Sequence, residues 1–258
     1  MHKTKVAIVI ACFAALALAQ GPSKDEQAAA LDAIRQYALS YAERLPNYSC
    51  TQTNRQTIRV PGETLTESKE FDCGSKQNTW FGTPAIVLAE GVHGAIPGAL
   101  PAVAGETSAR SEFGRLLDII FDPKTGADIR WERLGILNGR NVYVFAFRVP
   151  QSRGYSLVES RRTIQVPFKG FVYADFDTRA VVRIELKCID IPGDSEYTGA
   201  DLTLDYKPAH VAGQEIVVPA HYLAHFQMVR GEVTNEAAFT AYRRFSADST
   251  VQFEGDSQ

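Results

Sequence analysis

The sequence predicts a mainly β protein of α+β type. Its expected architecture is one large curved antiparallel sheet, or half-open β-barrel, of about ten or eleven strands, with an N-terminal amphipathic helix and a short inserted helix. Three observations lead there. After Pro46 the residue pattern alternates with period two over most of the chain. Turn signals separate these runs at short intervals, so most strands are joined as consecutive hairpins. Before Pro46 one capped segment repeats at helical spacing, and its apolar stripe needs a sheet to lie on.

The chain opens MHKTKVAIVIACFAALALAQG. His2, Lys3 and Lys5 make a basic start, Val6 to Ala19 is apolar, and Ala17-Leu18-Ala19 has the small-residue pattern of a cleavage site. Residues 1–19 read as a secretory signal peptide cut after Ala19, leaving residues 20–258 as one half-barrel domain. An uncleaved anchor is the alternative. Val9-Ile10-Ala11-Cys12 also matches a lipid-attachment box, with Cys12 as the acylated residue. No later stretch is long and apolar enough to cross a bilayer, so the mature chain is expected to be non-transmembrane. The formal charge of the whole chain is −3. Without Lys3 and Lys5 it falls by two, to −5. A mildly acidic chain without basic blocks is a poor partner for nucleic acid or anionic headgroups.

Residues 23–45 form the expected helix. Ser23-Lys24-Asp25-Glu26 is a capping box, in which serine and glutamate each bond the other's backbone N–H. Leu31, Ile34, Tyr37, Tyr41 and Leu45 make its apolar stripe, and Pro46 ends it. Strands are expected over 48–60, 64–73, 127–135, 141–149, 168–175, 181–190, 200–206, 214–218, 221–230, 235–245 and 249–253. Asn138-Gly139, Asp177-Thr178-Arg179, Gly213 and Gly231 mark turns between them. Residues 111–121 place Phe113, Leu116, Leu117 and Ile120 on one face of a short helix. Residues 82–107 are rich in Ala, Gly and Pro and contain no Lys or Arg. They form an apolar connection too long for a simple turn.

Cys50 stands eleven residues before Pro61, and Cys73 eleven after Gly62. If Pro61-Gly62 is the centre of a hairpin, the two cysteines oppose each other at about 4.5–5.5 Å between Cβ atoms, close to disulfide range. A Cys50–Cys73 bridge is therefore expected, with free buried thiols as the alternative. Cys188 is unpaired and points inward with Ile184 and Leu186.

Signals for catalysis or metal binding do not assemble. His221-Tyr222-Leu223-Ala224-His225 has the histidine spacing of a helical zinc site, but its surroundings alternate as a strand. Residues four apart on a strand are separated by about 13 Å. Ligands of one zinc each sit about 2.0–2.1 Å from the metal, so that separation is too large. Tyr222 also stands where a zinc hydrolase of this motif needs a glutamate. Gly193-Asp194-Ser195 lies late in the chain, without an Asp-x-x-His partner for a serine nucleophile. Asp175 and Asp177 sit at a turn, where local hydrogen bonds explain them. The sequence thus predicts no catalytic residue, no metal ligand and no cofactor.

Three stretches resemble a known family: FKGFVYADFDTRAVVRIE (168–185), NEAAFTAYRRFSADSTVQF (235–253) and AERLPNYSCTQTNR (42–55). The first is similar to the G-x-x-W-I-D-x-x-T-x-x-V-x-R-I-E hairpin of outer-membrane lipoprotein carrier and sorting proteins, with Tyr173 and Ala174 in place of the usual Trp and Ile. The other two are similar to exported relatives of that group. The resemblance implies a half-open antiparallel barrel whose apolar concave face is plugged by helices, and carriage or sensing of acylated lipoproteins or other lipids in the envelope. The expected function is an exported, non-enzymatic binding protein, periplasmic or secreted, that holds an apolar ligand or a lipoprotein acyl chain. The alternative is an envelope protein-interaction or stress-sensing module on the same scaffold. Aromatic alternation proposes Tyr143, Phe145, Phe147, Phe171, Tyr173, Tyr222 and Phe226 as lining residues. Ile86, Leu88, Ile96 and Leu100 are proposed as lining residues from a movable lid or plug, with Gly82, Gly94 and Gly98 as flexible points. The alternatives are a statically packed loop and, for the aromatic residues, ordinary core under the N-terminal helix.

Overall fold

The computed structural model describes residues 21–76, 79–81, 112–211 and 213–244. The signal segment, Cys12, the apolar stretch 82–107 with its four lining residues, and the strand expected over 249–253 lie outside the described residues. Helix α1 (Lys24–Leu39) and the one-turn helix α2 (Tyr41–Arg44) lead into β1 (Tyr48–Val60), β2 (Glu63–Lys76) and β3 (Thr79–Phe81). Helix α3 (Glu112–Phe121) precedes β4 (Asp128–Leu137) and β5 (Arg140–Val149). The small hairpin β6 (Tyr155–Val158) and β7 (Thr163–Val166) comes next. The chain continues through β8 (Phe168–Asp175), β9 (Val181–Cys188), β10 (Tyr197–Val211), β11 (Gln214–Met228) and β12 (Gly231–Arg244).

Ten strands form one antiparallel sheet in the order β3-β2-β1-β12-β11-β10-β9-β8-β5-β4, and β6–β7 stands apart as a second, two-stranded sheet. The expected mainly β half-barrel is what the chain forms. Register shifts interrupt the β4–β5, β8–β9, β10–β11 and β1–β12 ladders. Such bulges bend and twist a strand locally, which a curved sheet of this width requires. One of them removes an expected break. Asp205 pairs with His221 but Tyr206 pairs with Pro219, leaving Ala220 as the extra residue. A proline without an N–H is tolerated at a bulge, so the separate strands expected over 214–218 and 221–230 are one strand.

The hairpin turns follow their residues. Asn138 and Gly139 both have positive φ, at 51° and 79°, as the tightest two-residue hairpin loop demands. Gly62 has φ 85° after Pro61, and the β1–β2 register puts Cys50 opposite Cys73. These two form the expected disulfide, with Cα atoms 4.8 Å apart. Cys188 is free and buried.

The helices cover one face of the sheet. The capping box forms: the Ser23 N–H donates to Glu26 Oε2 at 2.7 Å, and the Glu26 N–H to Ser23 Oγ at 3.3 Å. The helix is not continuous to residue 45, because Ser40 leaves helical geometry and separates α1 from α2. Its fully buried residues are Ala30, Ile34 and Ala38, followed by Tyr41. Leu31 and Tyr37 are only partly buried, because the small alanines let the helix settle a little to one side of the larger residues. Helix α3 buries Phe113, Leu116, Leu117 and Ile120, as their spacing predicts. The Tyr206 hydroxyl donates to the Phe113 carbonyl at 2.8 Å. The Phe113 ring meets Tyr206 and Phe239 edge-on, with centroids 5.3 Å away in each case. These contacts anchor the start of α3 on β10 and β12. Helix α1 packs over α3 and β9, and α3 over β5.

Candidate ligand-binding face

The sheet has an inner face, which bears the helices, and an outer face. Register decides which side chains share each. Tyr143, Phe145 and Phe147 of β5 are buried on the inner face and oppose Ala174, Val172 and Gly170 of β8. Ile184 and Leu186 of β9 continue the row, followed by Leu204 and Leu202 of β10. Tyr222, Ala224 and Phe226 of β11 then pair with Leu204, Leu202 and Ala200. Five of the aromatic residues expected from sequence, Tyr143, Phe145, Phe147, Tyr222 and Phe226, are thus brought to one apolar surface.

Phe171 and Tyr173 are not. They oppose Ala146 and Val144 on the outer face, and the Tyr173 hydroxyl donates to Glu185 at 2.9 Å. Alternation could not assign the face of this strand, because β8 is apolar on both sides. Volume decides it. The large rings of β5 leave room on β8 for Gly170, Val172 and Ala174, and the two aromatics turn outward. Gly170 also lets β8 and β9 close up, since a Cβ built there would lie 1.8 Å from the Glu185 carbonyl oxygen.

At the β4 edge the inner apolar face runs out into solvent. Trp131 packs edge-on against Phe145 and Tyr143, at 5.5 and 6.1 Å between centroids. Phe176 stacks on Tyr143 at 4.8 Å, and the Arg179 guanidinium lies 4.7 Å from the Tyr143 ring centre. Beyond them Leu134, Ile136 and Phe176 are 46%, 76% and 38% exposed. Leu134 opposes Tyr143 and Ile136 opposes Asn141, so both extend the inner row. Sequence reading did not single out these residues. The β4–β5 hairpin register, already marked by Asn138-Gly139, is the signal that places them.

The other end of the inner face is polar. On β1 the inward residues are Tyr48, Cys50, Gln52, Asn54, Gln56 and Ile58. Gln52, Asn54 and Gln56 oppose Phe239, Ala237 and Asn235 of β12. All three, with Asn235, are buried. Gln52 Nε2 donates to Asn54 Oδ1 at 2.8 Å, and Gln56 Nε2 to Asn235 Oδ1 at 2.8 Å. Across β2, Lys69 and Glu67 oppose Asn54 and Gln56 and pair with each other at 2.7 Å.

His221, His225, Ser195 and Asp175 have structural partners. His221 and His225 lie on the outer face of β11, as the strand reading expects. His221 Nε2 sits 2.9 Å from Glu236 Oε1, and His225 Nε2 3.1 Å from Glu232 Oε2. Ser195 Oγ donates to Glu159 Oε1 at 2.6 Å and accepts from the Tyr197 N–H at 3.0 Å. Its hydroxyl therefore ties the β9–β10 loop to the turn between β6 and β7. Burial pushes the Glu159 carboxyl up, but hydrogen bonds from Ser195, Arg162 and the Glu196 N–H outweigh it and hold the group below its usual range. Asp175 closes its own turn, accepting from the Asp177 and Thr178 N–H groups at 3.1 and 2.9 Å.

No protein-family model matches the chain, and no curated protein is similar to it in sequence. In structure the chain is similar to a LolA superfamily protein of Nitrosomonas europaea, at 10% identity over 83% of this chain and 93% of that one, with a TM-score of 0.41. It is similar to a DUF1329 family protein of Desulfovibrio piger, at 11% identity over 87% and 94% with a TM-score of 0.39. It is also similar to a domain named for outer membrane lipoprotein sorting from Vibrio parahaemolyticus, at 11% identity over 87% and 94% with a TM-score of 0.42. The likeness is coarse and carries nothing about a ligand. Among the described residues no helix is long and apolar enough to cross a membrane. The disulfide fits an oxidising compartment.

Proposed function

We propose that this is an exported, non-enzymatic binding protein that holds an acyl chain against the inner face of its half-barrel. The signal-like N-terminus supports export, to the periplasm or outside the cell. One observation carries the reading: the buried aromatic surface of β4 and β5 continues to Leu134, Ile136 and Phe176 in solvent, with the Arg179 guanidinium resting on the Tyr143 and Phe176 rings. An apolar ligand entering there meets Tyr143, Trp131 and Phe145 in succession. Phe147, Tyr222 and Phe226 form the deeper wall. Residues Ile86, Leu88, Ile96 and Leu100 belong to the same proposal as a cover. Each CH₂ removed from water contributes about 0.8 kcal/mol, so a long acyl chain supplies a large driving force.

The test is titration with an environment-sensitive fluorescent fatty acid, followed by calorimetry with unlabelled oleate. Saturable binding that weakens in Ile136→Asp and Phe176→Ser is the expected result. Both positions are exposed, so the fold tolerates them. Absence of binding across acyl chains of several lengths overturns the carrier reading. The second reading, a protein-interaction module, is favoured by β4 itself. It is the last strand of the described sheet, and an unpaired edge can accept a strand from a partner.

A further inference from the structure

The four buried amides of β1 and β12 are too polar for an acyl site and lie beside one. Gln52 is 0% exposed and Asn235 1%. Gln52 Oε1 and Asn235 Nδ2 have no hydrogen-bond partner among the described residues. A buried amide atom left unpaired is destabilising by about 1–3 kcal/mol, so a row built this way calls for a complement. Each amide carries both donors and an acceptor. As oriented, the row leaves one acceptor open on β1 and one donor open on β12. Turning both amide pairs end for end exchanges the two and still leaves one of each. The charged side chains beside the row, Lys69 and Glu67, neutralise each other. The complement is therefore neutral and must both donate and accept.

We propose that this row is the headgroup end of the ligand site, and that it takes an amphiphile whose head is uncharged and bears hydroxyl or amide groups. The proposal rests on the acyl-binding reading above. The tail lies along the aromatic face of β11 to β4, and the head turns onto β12 and β1. Asn235 sits opposite Ala224 on β11, next to Phe226 and Tyr222, so the two surfaces adjoin without a gap.

Four probes sharing one oleoyl tail separate the possibilities: 1-monooleoylglycerol, N-oleoylethanolamine, methyl oleate and oleate, each measured by displacement of the fluorescent fatty acid. The glycerol ester and the ethanolamide should bind about tenfold tighter than the methyl ester, the size of one well-made hydrogen bond. Gln52→Leu with Asn235→Leu should erase that preference. Its melting temperature should change little, because the two unpaired atoms are removed but the hydrogen bonds to Asn54 Oδ1 and from Gln56 Nε2 are lost with them. If methyl oleate binds wild type as tightly as the glycerol ester, the headgroup site is wrong while the carrier reading stands. If the preference survives the double variant, the site lies elsewhere. If none of the four binds, the carrier reading fails and takes this inference with it. The wild-type comparison needs no variant, so it decides the matter even where the substitutions impair folding.

Discussion

Two single residues test the packing directly. Burial pushes the Cys188 thiol up to about 12, with Asp201 adding to the effect. At neutral pH it is protonated and enclosed, and thiolate is the reactive form. A disulfide-exchanging reagent should leave it unmodified in the native protein and react stoichiometrically once the chain is unfolded. Native labelling within minutes would show an open core at β9. Asp175 offers the complementary test. Burial alone raises its pKa, but hydrogen bonds from Thr178 and Asp177 and the charge of Arg140 leave it depressed. A depressed carboxylate contributes stability that is fully present above the unfolded value of about 3.9 and drains as pH falls through the folded one. Asp175→Asn should lower the melting temperature at pH 7 and flatten its decline between about pH 5 and 2. An unchanged acid slope would remove Asp175 from that account. The turn chemistry of Asp175 was readable in the sequence. The amide row was not, because β1 is polar on both faces. Its one legible clue is that Tyr48, Cys50 and Ile58 share parity with Gln52, Asn54 and Gln56.

At the scale of elements, close approach and pairing make separate predictions. Gly170→Ala forces β8 away from β9, because the new Cβ would fall inside the Glu185 backbone. A loss of about 1–3 kcal/mol is expected in denaturant melts. Gly193→Ala meets nothing within 4 Å and should stay within about 0.5 kcal/mol. Equal effects at the two glycines would contradict the β8–β9 geometry. The paired histidines should matter little: His221→Ala with His225→Ala removes two part-exposed pairs, each worth about 0–1 kcal/mol, and should leave metal content unchanged. Most strands were legible from alternation, and β1 spans the expected residues 48–60. The hairpin β6–β7 was not, since strands of four residues are too short for alternation to register. Pro219 misled in the other direction: without knowing the bulge at Ala220, a proline reads as a strand end.

For the whole molecule, neighbouring strands are non-consecutive in the chain at two places, β5–β8 and β1–β12, and only the second spans most of the chain. Strand β1 pairs with β2 on one side and with β12 on the other, and the Gln56–Asn235 hydrogen bond spans 179 residues of sequence. Every other neighbouring pair in the sheet is either a consecutive hairpin or, at β5–β8, separated only by the small hairpin. Closing so long a loop is slow and comes late. A protein delivered N-terminus first would expose β1 before its second partner exists. Until then its backbone groups form a bare edge, the kind of template that recruits another chain. The disulfide to β2 can fasten one side of β1 early but does nothing for the other. Deleting Gly231–Arg244 should therefore convert the protein from a monodisperse species into self-associating material, visible by light scattering at micromolar concentration. The seam between β1 and β12 is thus a timing problem as well as a contact, and the interval before it shuts is when this protein has most need of a chaperone.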